Sequence, residues 1–167
     1  MAELDAIDRR ILVELQRDGR LPIVELAERV GLSATPCLRR VKRLEADGVI
    51  ARYAALVDTK RLGLGVQALV EVTLDDHSEA GVEAFEAAIR DRPEVVACFA
   101  VTGEMDFLLM INVADLDAYS AFAMRALLRI PGVKGSRSSF IMQTVKSDLA
   151  YAPLPPPAPA ARRRAAQ

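Results

Sequence analysis

The most restrictive feature of this sequence is a very short interval between two helical patterns in its first fifty residues. Over residues 23–30 the apolar side chains repeat at helical spacing, and the pattern stops at Gly31. The next helical pattern begins after only Leu32 and Ser33. So short a connection permits only a tight corner between two helices.

This corner joins the second and third of three predicted helices. The first covers about residues 5–18 and ends at Gly19, a residue that accepts the left-handed conformation after a helix. The third takes Ser33 as its N-cap, has Pro36 in its first turn, where a missing N–H costs little, and ends at Gly48. The buried positions expected on these helices are Ile7, Ile11, Leu15, Leu26, Ala27, Val30, Leu38, Val41 and Leu44.

The extended character of residues 49–57 predicts a small β-wing or a strand that leads away from the helices. We therefore expect a winged helix-turn-helix domain over residues 1–58 and a linker over residues 59–65.

From residue 66 the pattern changes to alternating strands and helices. Strands are predicted at about 66–74, 95–101, 107–113 and 136–145, and helices at about 79–91 and 115–129. The second helix is expected to bury Leu116, Tyr119, Ala123, Leu127 and Ile130. The order β-α-β-β-α-β fits a ferredoxin-like split βαβ domain over residues 66–150. Both helices would cover one face of the sheet, and an apolar open face predicts self-association.

Residues 151–167 are rich in Pro and Ala and show no periodicity, which is typical of a disordered or polyproline-like tail. The run Arg162–Arg164 within it is interpreted as solvated, and non-specific phosphate contacts are the alternative.

The charge is divided unevenly along the chain. Residues 1–61 contain 12 Lys and Arg against 10 Asp and Glu, a net +2, whereas residues 62–152 contain 7 against 13, a net −6. Any polyanion contact is therefore expected in the first segment, with the three tail arginines as a second basic element. The sequence contains neither an apolar run long enough to span a membrane nor a signal-peptide pattern, and this predicts a cytoplasmic protein.

No constellation typical of an enzyme is visible in the sequence. The two cysteines are interpreted as free thiols, Cys37 as a small packing residue rather than a redox switch and Cys98 as part of the core. The single histidine, His77, has no recognisable catalytic or metal-binding partner in the sequence and is assigned to solvent. We therefore predict no enzymatic activity, no metal and no cofactor.

The third helix concentrates the cations of the first segment. Arg39 and Arg43 lie about opposite its expected buried stripe, flanked by Pro36, Arg40 and Lys42. Ser33 and Thr35 stand at its start, where hydroxyls can donate to phosphates or base edges of a DNA major groove. Four cations on a helix are equally typical of an ordinary solvated face. The tight corner before this helix favours the DNA interpretation, because it turns the basic face outward.

Several ordered motifs in the chain resemble one family closely. Residues 4–58 contain D-R-x-I-L-x-x-L-Q-x-D-G-R, E-L-A-x-x-V-G-L-S, T-P-C-x-R-R-V and R-L-E-x-x-G-x-I, and the second half contains V-T-G-E-M-D-F-L-L and I-P-G-V. These motifs resemble the Lrp/AsnC (leucine-responsive/asparagine-regulator, feast/famine) transcriptional regulators over about residues 4–149.

The resemblance implies an α+β chain with a winged helix-turn-helix, followed by a ferredoxin-like, ACT-like domain that binds an effector and forms oligomers. Such proteins dimerise through their sheets and assemble into tetramers or octamers on double-stranded DNA. They bind a small effector, commonly an amino acid, between dimers near a glycine turn. By position, this implies effector contacts from Thr102, Gly103, Met105, Asp106, Lys134, Ser136 and Ser138.

A physical argument supports part of this assignment. A glycine turn exposes backbone N–H groups to a carboxylate, and Asp106 can accept a hydrogen bond from an ammonium group. From the residues alone, Asp106 could equally be a turn residue that caps its own backbone. Met105 departs from the family's frequent aromatic or second acidic residue and leaves the identity of the effector open, with a weak preference for a hydrophobic amino acid.

Two other classes of function compete with a DNA-binding regulator. An amino-acid-binding regulatory subunit of an enzyme, without DNA binding, would use the same second domain but would leave the Arg-bearing helix unexplained. An RNA-binding module would need exposed aromatic residues interleaved with cations on the central strands. The candidates, Phe99 and Phe107, lie within apolar runs without such cations.

Overall fold

The computed structural model describes residues 4–147 of the 167-residue chain. These residues form two compact units, each described by itself below: residues 4–55 with Ser147, and residues 56–146. The predicted tail over residues 151–167 lies outside the described residues.

The first unit consists of three helices joined as the sequence predicted: α1 (Ala6–Arg17), α2 (Ile23–Val30) and α3 (Ala34–Ala46). The corner between α2 and α3 is closed by the Leu32 amide, which donates to the carbonyl of Ala27 at 2.8 Å. Gly31 adopts the left-handed conformation at φ 74°, which favours glycine, and so allows the chain to leave α2 sharply. The helix-turn-helix is therefore confirmed.

Gly19 does not have the role expected of it. The first helix ends at Asp18 in an extended conformation with φ −145°, and Gly19 is not among the glycines with positive φ. The side chain of Tyr53 lies against Gly19, so that a Cβ at position 19 would stand 3.3 Å from the Tyr53 ring. The short glycine makes room for this ring rather than providing a left-handed turn.

The buried stripe of α3 also differs from the expected one. Cys37, Val41 and Leu44 are buried, whereas Leu38 is 41% exposed. Because successive helical residues are about 100° apart, replacing position 38 by position 37 turns the stripe by roughly 30° about the helix axis. Cys37 is thus confirmed as a packing residue, and the outward face of α3 moves away from Arg43 and towards Thr35, Arg39 and Lys42.

No strand forms over residues 49–57. Residues 51–58 have no regular secondary structure, although residues 49 and 50 pack against the core of the first unit. Within this segment, Tyr53 donates a hydrogen bond from its hydroxyl to Glu45 on α3 at 2.8 Å. A side-chain contact therefore holds the segment where a strand ladder was expected.

The second unit is a four-stranded antiparallel sheet with two helices. Its elements in chain order are β1 (Val66–Leu74), α4 (Glu79–Arg90), β2 (Val95–Ala100), β3 (Phe107–Val113), α5 (Leu116–Arg125), a single 3-10 turn (Leu127–Arg129) and β4 (Val133–Phe140). The strands are arranged in the order β2-β3-β1-β4. This arrangement confirms the predicted ferredoxin-like fold.

The boundaries near the end of this unit differ from those predicted. The last strand begins at Val133 and ends at Phe140, because it pairs along β1 only from Leu74 to Ala68. On α5, Leu116 is 60% exposed and Phe122 is buried in its place. Cys98 is also exposed, since β2 is an edge strand that the helices do not cover fully.

The two faces of the sheet have different surroundings. Alternate residues of β1 and β3 are buried, among them Val70, Leu109 and Ile111, and they pack with Phe85 of α4 and Phe122 of α5. The open face carries several apolar side chains that are half-buried or exposed, namely Leu69, Ala97, Phe99, Leu108 and Met110.

We predict that Leu109→Ala destabilises the chain by about 2–5 kcal/mol, because it removes a fully buried side chain and leaves a cavity in the sheet–helix core. Leu116→Ala is the matched control, with less than about 1 kcal/mol expected for a residue that is 60% exposed. Urea unfolding followed by circular dichroism measures both. Equal effects would show that Leu116 belongs to the core after all.

Candidate functional site

The outward face of α3 carries Thr35, Arg39 and Lys42. All three are exposed, and within residues 4–147 neither cation has a hydrogen-bonded or ion-paired partner. Their spacing places them on the side of the helix opposite Cys37, Val41 and Leu44. This face is therefore free to contact a polyanion.

Arg40 and Arg43 belong to a different surface of the same helix. The Nη1 atom of Arg40 donates to Asp5 Oδ2 at 2.6 Å and to Asp8 Oδ1 at 2.8 Å. The Nη2 atom of Arg43 donates to Asp8 Oδ2. Two of the four cations predicted to contact DNA are thus engaged with α1.

Asp8 is fully buried, and its carboxylate is the centre of this network. The carboxylates of Asp5 and Asp8 also form the capping box of α1. The Asp5 side chain accepts from the amides of Ile7 and Asp8, and the Asp5 amide donates to Asp8 Oδ2. The same pair of residues starts α1 and holds α3. We refer to Asp5, Asp8, Arg40 and Arg43 as the α1–α3 cluster.

The pKa shifts of Asp5 and Arg40 both favour the charged form of the side chain. The hydrogen bond from the Asp8 amide, followed by that from Arg40, lowers the pKa of Asp5 to about 2. The same ion pairs, with Asp5 first and Asp8 second, raise the pKa of Arg40.

The remaining predicted residues of this surface lie at the start of α3. Ser33 occupies the N-cap position and is exposed, but its hydroxyl makes no capping hydrogen bond. Pro36 is half-buried in the first turn. The Ser33 hydroxyl is therefore not used by the helix itself.

The sequence did not identify the role of the α1–α3 cluster, although it contained a signal for it. Two acidic residues three positions apart at the start of a helix form a capping box, and one of them lies on the buried side of α1. A buried carboxylate requires donors, and α3 was the only neighbouring helix rich in arginine.

In the second unit, several of the predicted effector residues surround one open cavity of about 460 Å³. Met105, Lys134 and Ser136 line it, and Thr102 and Gly103 do not, although they belong to the adjoining turn. The lining residues missed from the sequence are Glu71, Thr73, Glu104, Gly135 and Arg137.

Opposite charges meet in this cavity. Arg137 donates from Nε to Glu71 Oε2 at 2.6 Å, across the β1–β4 pair. Within residues 4–147, Lys134 and Glu104 have no such partner. A free ammonium and a free carboxylate on one cavity suit a small zwitterion, since each can pair with the opposite charge of the ligand.

Asp106 lies beside this cavity and is engaged elsewhere. Its Oδ2 accepts from the Leu74 amide at 2.7 Å, and its Oδ1 lies 3.0 Å from His77 Nε2. The side chain of His77 is 64% exposed, which confirms its assignment to solvent, and the sequence did not predict its contact with Asp106. The Asp106 carboxylate ties the glycine turn to the end of β1, and Gly103 in that turn has φ 129°.

Ser138 does not line the cavity. It pairs with Val70 on the face covered by helices, where its hydroxyl is hydrogen-bonded to that of Tyr119.

Within residues 4–147, no group of three or more His, Cys, Asp or Glu side chains could hold a metal ion. In the same range, no helix is both long and apolar enough to cross a bilayer.

Two family profiles match consecutive parts of this chain. Residues 4–51 match a winged helix-turn-helix DNA-binding domain, and residues 67–151 match the Lrp/AsnC ligand binding domain. The first includes the outward face of α3. The second includes the cavity lined by Glu104, Met105 and Lys134, which we call the mixed-charge cavity.

Similarity to characterised proteins extends across both units. The chain is 45% identical over 144 residues to the leucine-responsive regulatory protein of Salmonella typhimurium, which covers 86% of this chain and 88% of the relative. The corresponding protein of Escherichia coli strain K12 is 44% identical over the same length.

Solved structures resemble the fold closely. A transcriptional regulator of Neisseria meningitidis, solved as a complex with L-Met, aligns with a TM-score of 0.86 and 43% identity, covering 89% of this chain and 96% of that one. An AsnC family transcriptional regulator of Agrobacterium tumefaciens aligns with a TM-score of 0.83 and 37% identity, covering 91% and 97%.

We predict that the Asp5 carboxylate contributes stability above pH 4 and loses that contribution as the pH falls towards 2. Stability falls with pH in this range because the pKa of Asp5 is about 2 in the folded state, below its ordinary value of 3.8. Between these two pH values only the unfolded state takes up a proton. The gap in melting temperature between the wild type and Asp5→Asn should narrow between pH 5 and pH 2. A gap that stays constant over this range would show that ionised Asp5 does not stabilise the fold.

Proposed function

Since this chain belongs to the Lrp/AsnC family of transcriptional regulators, we propose that it binds specific sequences in double-stranded DNA and regulates transcription in response to an amino acid. The observation that carries the DNA-binding part is the exposed, unpaired basic face of α3 behind a tight helix-turn-helix corner. A helix presented in this way fits the major groove of DNA.

The residues of α3 have separate roles in this proposal. Arg39 and Lys42 pair with phosphates or with guanine edges, and Ser33 and Thr35 at the helix start donate from their hydroxyls. Pro36 shapes the first turn beside them. Arg40 and Arg43 lie on the flank of the helix and reach DNA only if they leave the α1–α3 cluster.

The proposed active form is a homodimer that assembles further into a tetramer or octamer. The apolar side chains on the open face of the sheet, Leu69, Phe99, Leu108 and Met110, support association through that face. A two-fold dimer would present two α3 helices to half-sites about 34 Å apart, one turn of DNA. Its place of action would be the cytoplasm, where bacterial DNA is found.

The proposed effector is an amino acid bound at the mixed-charge cavity. Lys134 would pair with its carboxylate and Glu104 with its ammonium group, and Met105 would contact the side chain. Ser136 lines the same cavity, and the glycine turn over Thr102 and Gly103 borders it. The relative from Neisseria meningitidis was solved with L-Met, which supports an amino acid as the class of ligand.

The proposed role of Asp106 is indirect. Its carboxylate is held by the Leu74 amide and His77, so it would position the glycine turn against the ligand. Ser138, whose hydroxyl is hydrogen-bonded to that of Tyr119 outside the cavity, would act only through the packing of β4. The enzyme-subunit alternative leaves the free cations of α3 without a role, and we propose no catalytic activity.

We predict that Arg39→Ala and Lys42→Ala each weaken binding to duplex DNA and reduce the slope of log affinity against log salt by about 0.9, one phosphate contact each. Neither substitution should lower the melting temperature, because neither side chain has a partner within residues 4–147. Fluorescence anisotropy with a labelled duplex at several salt concentrations measures the slope.

Arg90→Ala is the charge-matched control, since Arg90 is exposed on α4 in the second unit. Its slope should equal that of the wild type. Unchanged slopes for Arg39→Ala and Lys42→Ala would remove α3 from the DNA interface.

We predict that at least one of the twenty common amino acids raises the melting temperature of the wild type, because a ligand that binds only the native state stabilises it by about 2.7 kcal/mol at 100 times its Kd. Lys134→Ala should lose this response, whereas Arg129→Ala, an exposed cation outside the cavity, should keep it. A response that survives in Lys134→Ala would place the effector elsewhere.

A further inference from the structure

Among residues 4–147, Asp8 is the only charged or polar residue classed as buried, with 0% of its surface exposed. A buried carboxylate is costly unless donors surround it. Asp8 has three donors: the Asp5 amide, the Arg40 guanidinium and the Arg43 guanidinium. Capping α1 would need only the first of them, and the other two come from the helix proposed to bind DNA.

The arginines could otherwise serve as phosphate ligands. The side chain of Arg43 is 47% exposed, and one helical turn separates Arg43 from Arg39 on the outward face. Arg40 is more enclosed, with 25% of its side chain exposed. Two carboxylates and two guanidinium groups give the α1–α3 cluster no net charge, so Arg39 and Lys42 are the cations of α3 left for DNA.

We propose that Asp8 is a specificity-determining positioning residue. Its buried carboxylate holds Arg40 and Arg43 of α3 against α1 and keeps both arginines from binding DNA phosphates. This inference rests on the proposed DNA-binding function and goes beyond it. Non-specific affinity for DNA grows with the number of phosphates that are neutralised, and it carries no sequence information. By withholding two cations, Asp8 lowers binding to arbitrary sequences and leaves a larger share of recognition to contacts with base edges.

The charged state of Asp5 and Arg40 agrees with this role. The pKa of Asp5 is lowered to about 2 and the pKa of Arg40 is raised, so both groups of this ion pair are charged under the conditions in which DNA is bound. All four residues of the cluster belong to the first unit: Asp5 is the N-cap of α1, Asp8 lies on α1, and both arginines lie on α3.

Asp8→Asn tests the proposal in the full chain. The neutral amide keeps the size of the side chain and removes the negative charge that holds the two arginines. The probe is a labelled 30-base-pair duplex of mixed sequence, titrated at 50 to 200 mM salt. The slope of log affinity against log salt should steepen by up to about 1.8 per protomer. Between 50 and 200 mM salt the variant should therefore lose roughly ten times more affinity than the wild type. Affinity for this duplex at 50 mM salt should rise.

Glu28→Gln is the matched control, since it removes one exposed negative charge from α2 without releasing a cation. Its slope should stay at the wild-type value. A slope that steepens equally in Glu28→Gln would show a general charge effect, and an unchanged slope in folded Asp8→Asn would show that Asp8 acts only in stability. Either result overturns the proposal.

A second variant gives an answer even if Asp8→Asn does not fold. Arg43→Gln keeps a donor for Asp8 and removes one cation, and its slope should equal that of the wild type. A decrease of about 0.9 would place Arg43 on a phosphate in the wild-type complex and would contradict the proposal.

The same titrations separate this inference from the proposed function. A wild type that fails to bind the duplex at any salt concentration contradicts both. A wild type that binds and loses slope in Arg39→Ala supports the function, and the Asp8→Asn and Arg43→Gln results then decide the inference alone.

Discussion

The buried carboxylate of Asp8 is the constraint on which the geometry of the first unit depends. It takes a hydrogen bond from its own helix end and two from α3, and it therefore fixes the rotation of α3 as well as its position. Ion pairs of this kind contribute little net stability, because removing the charges from water is costly. Their value lies in excluding other arrangements, since any rotation of α3 would leave a charge buried without a partner.

The consequence of this rotation is the division of α3 into three surfaces. One faces the core through Cys37, Val41 and Leu44, one faces α1 through the two paired arginines, and one faces outward with Arg39 and Lys42. In the second unit, strict alternation along β1 and β3 divides the sheet in a comparable way. One side of it holds the core, and the other holds apolar side chains and the Glu71–Arg137 pair.

Periodicity alone was sufficient to predict the elements that alternate cleanly. Residues 23–30, 66–74 and 107–113 have the predicted bounds, because each has a regular apolar pattern and a glycine, proline or acidic residue beside it. The last strand was placed three residues late, since its start is set by pairing with Leu74 of β1 rather than by its own alternation. The incorrect prediction that Cys98 belongs to the core has a similar cause. Cys98 is exposed because β2 is an edge strand, and whether a strand is central or at an edge depends on tertiary pairing.

The candidate site could be predicted only as far as residue types allow. The sequence located the cations on α3, and it exchanged Leu38 for Cys37 as a core residue because both fit an apolar stripe. It could not show that Arg40 and Arg43 are engaged, since their partners lie 32 to 35 positions away in sequence and meet them only in the folded unit. The effector region was located through the family resemblance, with its glycine turn as physical support, whereas Glu71 and Arg137 lie on strands that were interpreted as structural.

The measurement that bears most directly on this account is an experimental structure of the chain bound to a duplex selected from a random pool. We expect α3 to lie in the major groove, with Arg39 and Lys42 within hydrogen-bonding distance of DNA and with Arg40 and Arg43 still bound to Asp8. A complex in which α3 faces away from the DNA, or in which both arginines have left Asp8 for phosphates, would contradict it.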